Sequence, residues 1–198
     1  MSLIAAALAI AERDGCSGED FLLSVVAGYE VMGRCGYALS PSHLYRGFHP
    51  TSAAGPLGLV AAAGKLMELD ADAMVHALAV SASFCSGVTE CYKSGGEVKR
   101  YHGGIGAQGG IRAAALAKLG LTGPATILEG PLGLRAMSDT YTPEVITDRL
   151  GEKFVVADIW TKKYAANGMI HAPADAVDII RRRRHFEADD IARITVGS

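Results

Sequence analysis

The chain has 198 residues, of which 49% are hydrophobic and 20% charged, and its formal net charge is −2. That balance supplies enough apolar mass for a folded core and excludes both a disordered chain and a broad basic face for nucleic acid. No apolar run reaches the roughly 18 residues of a membrane span, so no membrane partner is expected.

Residues 3–13 read as a short apolar helix stopped by Asp14-Gly15. Ser17 then offers a hydroxyl N-cap, with Asp20 in the first turn. Phe21, Leu22, Val25, Val26, Tyr29 and Met32 recur at helical spacing along the next helix. Ser40-Pro41-Ser42 ends it near Leu39, because the residue before a proline is driven out of the helical region. A loop over 40–50 leads to a helix of Ala, Gly and Leu that begins at Thr51 or Ser52 and reaches Met67. Asp70 caps the following helix, with Met74, Leu78 and Val80 on its apolar side. Residues 86–100 are polar and Gly-rich, a functional loop by composition. A small-residue helix is predicted from about Ile105 to Leu119. Shorter ones open at Thr122-Gly-Pro124, to Glu129, and at Thr142-Pro-Glu144, to about Leu150.

Beyond residue 152 the character changes. Residues 153–156 and 189–196 read as strands on either side of a helix that ends in Arg181-Arg-Arg-Arg184. The expected fold class is mainly α. A multi-helix domain of helical hairpins covers 1–150, and the start of a smaller α+β domain covers 151–198.

Four cysteines (Cys16, Cys35, Cys85 and Cys91) form no CxxC pair, and no HExxH, Walker loop or Rossmann fingerprint occurs. Reduced, mostly buried thiols in a cytoplasmic protein are the simplest reading, and no metal site is expected.

Three tracts could carry chemistry. In Arg46-Gly-Phe-His49-Pro50, the proline fixes the turn into a helix and so holds the His49 imidazole, while Arg46 could grip a carboxylate with its guanidinium fork. Lys99-Arg-Tyr-His102 repeats the cation-and-histidine pairing ahead of two glycines that let a ligand approach the backbone. In the third tract Lys162 could bind or activate an acidic group, Tyr164 could donate a proton and Asn167 could hold an oxyanion, with His171 about one turn into the following helix. The bland alternatives are a capping His49, an ordinary solvated basic cluster around Lys99, and a packed His171. His43 and His76 read as loop and helix-surface residues. Together the tracts point to a site for a small acidic molecule.

Gly28-Tyr-Glu-Val31, Arg46-Gly-Phe-His-Pro-Thr51, the Lys99–His102 tract, Leu121-Thr-Gly-Pro-Ala125 with Leu128-Glu-Gly130, and Lys162 with Tyr164 and His171 together resemble the MmgE/PrpD family. The resemblance spans nearly the whole chain. It implies an all-helical domain joined to a smaller α+β domain in a homodimer. It also implies chemistry on small di- or tricarboxylates without metal or organic cofactor. By position it implies that His49, Lys99 and Lys162 are catalytic pocket residues, with His102 and Tyr164 beside them and Arg46, Asn167 and His171 binding substrate. The implied reaction is that of a lyase of the 2-methylcitrate dehydratase type: proton abstraction next to a carboxylate, then loss of water. The alternatives are a family epimerase or decarboxylase, or a non-catalytic truncated scaffold. Family members are longer, and an Asp/Thr/His group of their active site is expected ahead of residue 1. The third tract departs from the family's Tyr-Pro followed by Cys or His: it has Tyr164-Ala165 and Asn167, and Asn carries no titratable proton at neutral pH.

Overall fold

Helix α5 (Gly55–Leu66) is apolar around its whole circumference and buried along nearly its whole length. A helix of that composition has no solvent face, so its neighbours must wrap it. In the computed structural model, which describes residues 2–197, they do so from several sides. Helices α1 (Ser2–Asp14), α2 (Gly18–Leu39), α6 (Ala71–Ala82) and α8 (Val98–Lys118) all pack on α5. The chain divides into two units, Met1–Asp158 and Ile159–Ser198. Among the described residues there is no β-strand, only a single bridge between Phe48 and Val88. The mainly α fold is as expected from the sequence.

The close wrapping depends on missing side chains. A Cβ on Gly58 of α5 would stand 2.4 Å from the Gly28 carbonyl of α2, and one on Gly110 of α8 would stand 2.4 Å from the Leu59 Cβ of α5. The helices therefore meet backbone to backbone, and Val60, Ala62, Ala63, Ala113 and Ala114 fill the remaining space with the α1 residues Ala7 and Ile10.

The expected caps form. The Ser17 hydroxyl accepts the Asp20 N–H at 3.1 Å, and the Asp70 carboxylate accepts the Ala73 N–H at 2.8 Å. Other expectations are corrected. The loop expected over 40–50 holds a one-turn helix, α3 (Ser42–Tyr45), and the helix expected from Thr51 to Met67 is broken into α4 (Pro50–Ala53) and α5 at Ala54. Pro56 explains the break: in an unbroken helix its ring would meet the Ser52 carbonyl and leave it without a partner. The 86–100 loop holds a one-turn helix, α7 (Cys91–Ser94), and α8 starts at Val98 rather than near Ile105. Gly106 and Gly110 are tolerated in it because they face α4 and α5 closely.

Residues 122–124 are irregular and 125–129 form turns, in place of the expected helix. The Gly133 position is pressed against the Ile127 carbonyl, and the chain closes with Leu134 N–H to Ile127 O at 2.7 Å. Leu134 thereby reaches a second core with Cys35, Leu39 and Leu57. The helix expected over 142–150 is shortened to α9 (Glu144–Thr147).

Both strand expectations fail. Val155–Asp158 is a 3₁₀ turn. Ala188–Asp190 is another, closed by reciprocal Glu187 and Asp190 caps. A strand needs a partner ladder, and neither segment has one among the described residues. At Val155 a buried ion pair takes over. Arg34 and Glu30 of α2 lie 2.9 Å apart, and Glu30 accepts the N–H groups of Val155 and Val156. Arg34 donates to the carbonyls of Asp148 and Lys153, at 2.7 Å each, and to that of Ile146 at 3.3 Å. This clasp holds the 145–156 segment to α2.

In the second unit, α10 (His171–Arg183) follows a 3₁₀ turn over Gly168–Ile170. His171 is therefore the first residue of its helix, not one turn inside it. No helix among the described residues is long and apolar enough to cross a membrane.

Candidate active site

His49 is the N-cap of α4, with Pro50 at the first helical position. Its N–H donates to the Gly87 carbonyl at 2.8 Å, and its own carbonyl accepts from Ser52 and Ala53. The backbone is thus fixed on both sides, and the side chain points toward α8. There it meets His102, with the two Nδ1 atoms 2.9 Å apart and the ring centroids at 5.0 Å. One Nδ1 must donate and the other accept, so one proton lies between the two rings, and the accepting ring carries its own N–H on Nε2. His49 is 9% exposed and His102 3%. On its other nitrogen, His49 Nε2 lies 3.5 Å from the Thr51 hydroxyl.

Lys99 stands one turn before His102 on α8. Its ammonium lies 4.6 Å from the ring centroid of Tyr92, and the Tyr92 ring meets His49 edge to face at 6.1 Å. The surroundings push the His49 imidazolium down to about pKa 4. Burial is the main cause, followed by repulsion from His102 and from Lys99. Near neutral pH His49 is therefore an uncharged base with a cation close by.

The structure joins the first two tracts through His49, Lys99 and His102. Arg46 turns elsewhere, its guanidinium donating to Asp139 at 2.6 Å on the surface. In the second unit, exposed Lys162 donates to the Ala166 carbonyl at 3.0 Å. Asn167 uses its side-chain oxygen to accept the Met169 N–H, as a helix cap. Tyr164 donates to Asp175 at 2.7 Å, and Lys163 pairs with the same carboxylate. His171 sits between the edge-on rings of Trp160 and Tyr164, both at 5.3 Å.

His43 is a correction: it is buried rather than a loop residue, with Nδ1 2.9 Å from the Leu39 carbonyl. Half-buried His76 pairs with the Gly123 backbone. Burial pushes the Cys35 and Cys85 thiols up to about 12, which leaves them unreactive. No cluster of three His, Cys, Asp or Glu side chains able to hold a metal occurs among the described residues. Sequence reasoning missed Tyr92 and Gly87. An aromatic residue inside a polar loop bounded by glycines was the available signal for both.

The fold and site define an all-helical domain with a buried imidazole pair beside a lysine. Residues 2–145 match the MmgE/PrpD N-terminal domain, and the chain belongs to the MmgE/PrpD family. A cis-aconitate decarboxylase of Homo sapiens is 32% identical over 202 residues, covering 98% of this chain and 42% of the relative. A cis-aconitate decarboxylase of Aspergillus terreus is 30% identical over 176 residues, covering 84% of this chain and 36% of the relative. A cis-aconitate decarboxylase-like protein, oryM, of Aspergillus oryzae is 29% identical and covers 91% of this chain and 40% of the relative. The chain thus spans about two fifths of the length of the curated relatives it matches.

Proposed function

We propose that the protein is a lyase of small polycarboxylates, and that its reaction is decarboxylation of cis-aconitate or a near analogue. The observation that carries this reading is the buried His49–His102 pair with Lys99 beside it. The names of the relatives favour decarboxylation over the dehydration of a 2-methylcitrate-like acid that the sequence led us to expect.

The site suits a polyanion. Lys99 supplies a cation for one carboxylate, with no protein carboxylate among its partners in the described residues. A tricarboxylate arriving beside His49 offsets the burial and the cationic repulsion that keep it neutral. Binding therefore draws a proton onto the imidazole pair. Loss of CO2 then breaks the bond between the methylene carbon and its carboxylate. The released electron pair forms a new double bond to the central carbon, and the old double bond takes a proton at its far carbon. The protonated pair is the donor of that proton. Dehydration would instead use neutral His49 to remove a proton next to a carboxylate before hydroxide leaves.

On this reading His49, Lys99 and His102 are catalytic. The family resemblance also assigns chemistry to Lys162 and Tyr164, and substrate binding to Arg46, Asn167 and His171, in the whole protein. That protein is a cytoplasmic homodimer, with residues 1–150 in its helical domain and 151–198 opening its smaller domain. The test is proton NMR of this chain, and of the protein at its relatives' length, incubated with cis-aconitate, 2-methylcitrate and citrate. Conversion of cis-aconitate to the unsaturated dicarboxylate, abolished by His49→Ala, is expected. Water loss from 2-methylcitrate alone would replace decarboxylation with dehydration. No reaction with any of the three at full length would end the lyase reading.

A further inference from the structure

Lys99 is the cation whose charge opposes protonation of His49, yet among the described residues nothing charged holds it there. Among the described residues its ammonium has no hydrogen bond or ion pair. The neighbouring carboxylate of Glu97 is taken by Arg100 at 3.0 Å. The partner Lys99 does have is the face of Tyr92, 4.6 Å away. A lysine ammonium on a four-carbon stem is strongly hydrated and otherwise free to swing into solvent.

Tyr92 is itself tied to the site. Its N–H donates to the Thr89 carbonyl at 2.8 Å, and the Thr89 N–H donates to the Gly47 carbonyl at 2.8 Å, two residues before His49. Its ring stands at 84° to the His49 ring. One half-exposed aromatic ring therefore stands perpendicular to the base and carries the cation on its face, where its quadrupole is negative.

We propose that Tyr92 is a positioning residue: its ring holds the Lys99 ammonium beside the His49–His102 pair, so that a substrate carboxylate is received next to the imidazole that moves the proton. This rests on the polycarboxylate reading above for the identity of the ligand, but the link from Tyr92 through Lys99 to His49 is a property of the free protein. The groups facing His49 are His102 and Lys99 from α8, the Tyr92 ring from α7 and the Thr51 hydroxyl from α4. The 86–89 turn contributes only backbone to it.

The experiment is an NMR titration of the His49 ring proton in the free chain, together with calorimetry using citrate as the probe. The variants are Tyr92→Phe, Tyr92→Leu, Lys99→Met and the double variant Tyr92→Leu/Lys99→Met. Tyr92→Phe keeps the ring face and should titrate like the parent. Tyr92→Leu should raise the His49 midpoint, as Lys99→Met does, because a positive neighbour is lost. The double variant should titrate like Lys99→Met, since two residues acting through one contact are not additive. Citrate affinity should fall roughly two- to five-fold in Tyr92→Leu, the range of an exposed cation–π contact, with no further fall when added to Lys99→Met. Additive shifts in the double variant would overturn the proposal, because the ring would then act by shielding His49 directly. A Tyr92→Phe variant that behaves like Tyr92→Leu would also overturn it, since the hydroxyl would be the active group. Unchanged ring-proton positions for buried His43 and half-buried His76 check the fold of each variant. If citrate binds none of the proteins while the titration pattern holds, the carboxylate reading fails and the positioning role stands.

Discussion

A Cβ on Gly87 would stand 2.0 Å from the Ser52 hydroxyl oxygen and 3.3 Å from Cε1 of His102. Gly87 also has φ +84°, a conformation that L side chains rarely adopt. The turn it makes lets its carbonyl receive the His49 N–H, so one residue fixes the backbone of His49 while making room for the ring of His102. Gly87→Ala should lower unfolding stability by roughly 2–4 kcal/mol, combining left-handed strain with overpacking. Urea unfolding measures this, and the same variant should shift the ring protons of His49 and His102. Unchanged stability and spectra would mean that the turn relaxes freely.

The Arg34–Glu30 pair makes a second prediction. Arg34→Met leaves Glu30 buried without its cation and strips several carbonyls of a donor. A loss of about 3–5 kcal/mol is expected, the range for breaking a buried pair from one side. Hydrogen exchange should quicken over 145–156, while α5 stays protected under native conditions. Equal loss of protection in both would show that the clasp is not a local device.

Stability should depend on pH through His49. Its folded-state value of about 4 lies below the ordinary 6.5 of an unfolded histidine. Between those values the unfolded chain binds a proton that the folded chain does not. Stability from this group is thus constant above about pH 6.5 and falls as pH drops toward 4. The loss should be on the order of 2 kcal/mol, less than the full linkage because the ring is partly reached by solvent. His49→Gln should flatten this part of the curve, and an unflattened curve would place the titration elsewhere.

Gly110→Ala tests the backbone contact between α5 and α8. Its methyl group would meet the Leu59 Cβ at 2.4 Å and the Val60 nitrogen at 2.8 Å. Backbone cannot swing aside, so a cost of about 1–3 kcal/mol is expected despite alanine's better helix propensity. A gain in thermal stability would show that the helices have slack.

Capped helices are the most legible part of this chain. Ser17 and Asp70 mark their helices because the cap chemistry is local. The start of α8 is not legible, because Gly103, Gly104 and Gly106 lower its intrinsic helix propensity and α8 forms through packing on α5 and α6. The strand reading of 153–156 fails for a similar reason: Glu30, more than a hundred residues earlier, supplies the acceptor that a partner strand would have supplied. In the site, His49, Lys99 and His102 are legible as residue types in tracts. Their meeting is not, since it needs the spacing of α4 and α8. Arg46 illustrates the limit, for its partner Asp139 lies 93 positions away.

Gly106 lies one turn beyond His102, and a Cβ there would be 3.6 Å from the Thr51 carbonyl and 3.7 Å from Pro56. A methyl group would sit there in ordinary contact, but anything larger would press on α4, the helix that His49 caps, so a small residue at 106 helps set the gap between the two imidazoles. Its width behaves as a property of the scaffold, like the gauge of a track. Enlarging residue 106 beyond alanine is therefore expected to change the separation of His49 and His102 without altering either ring and, on the polycarboxylate reading proposed above, to retune which acids fit.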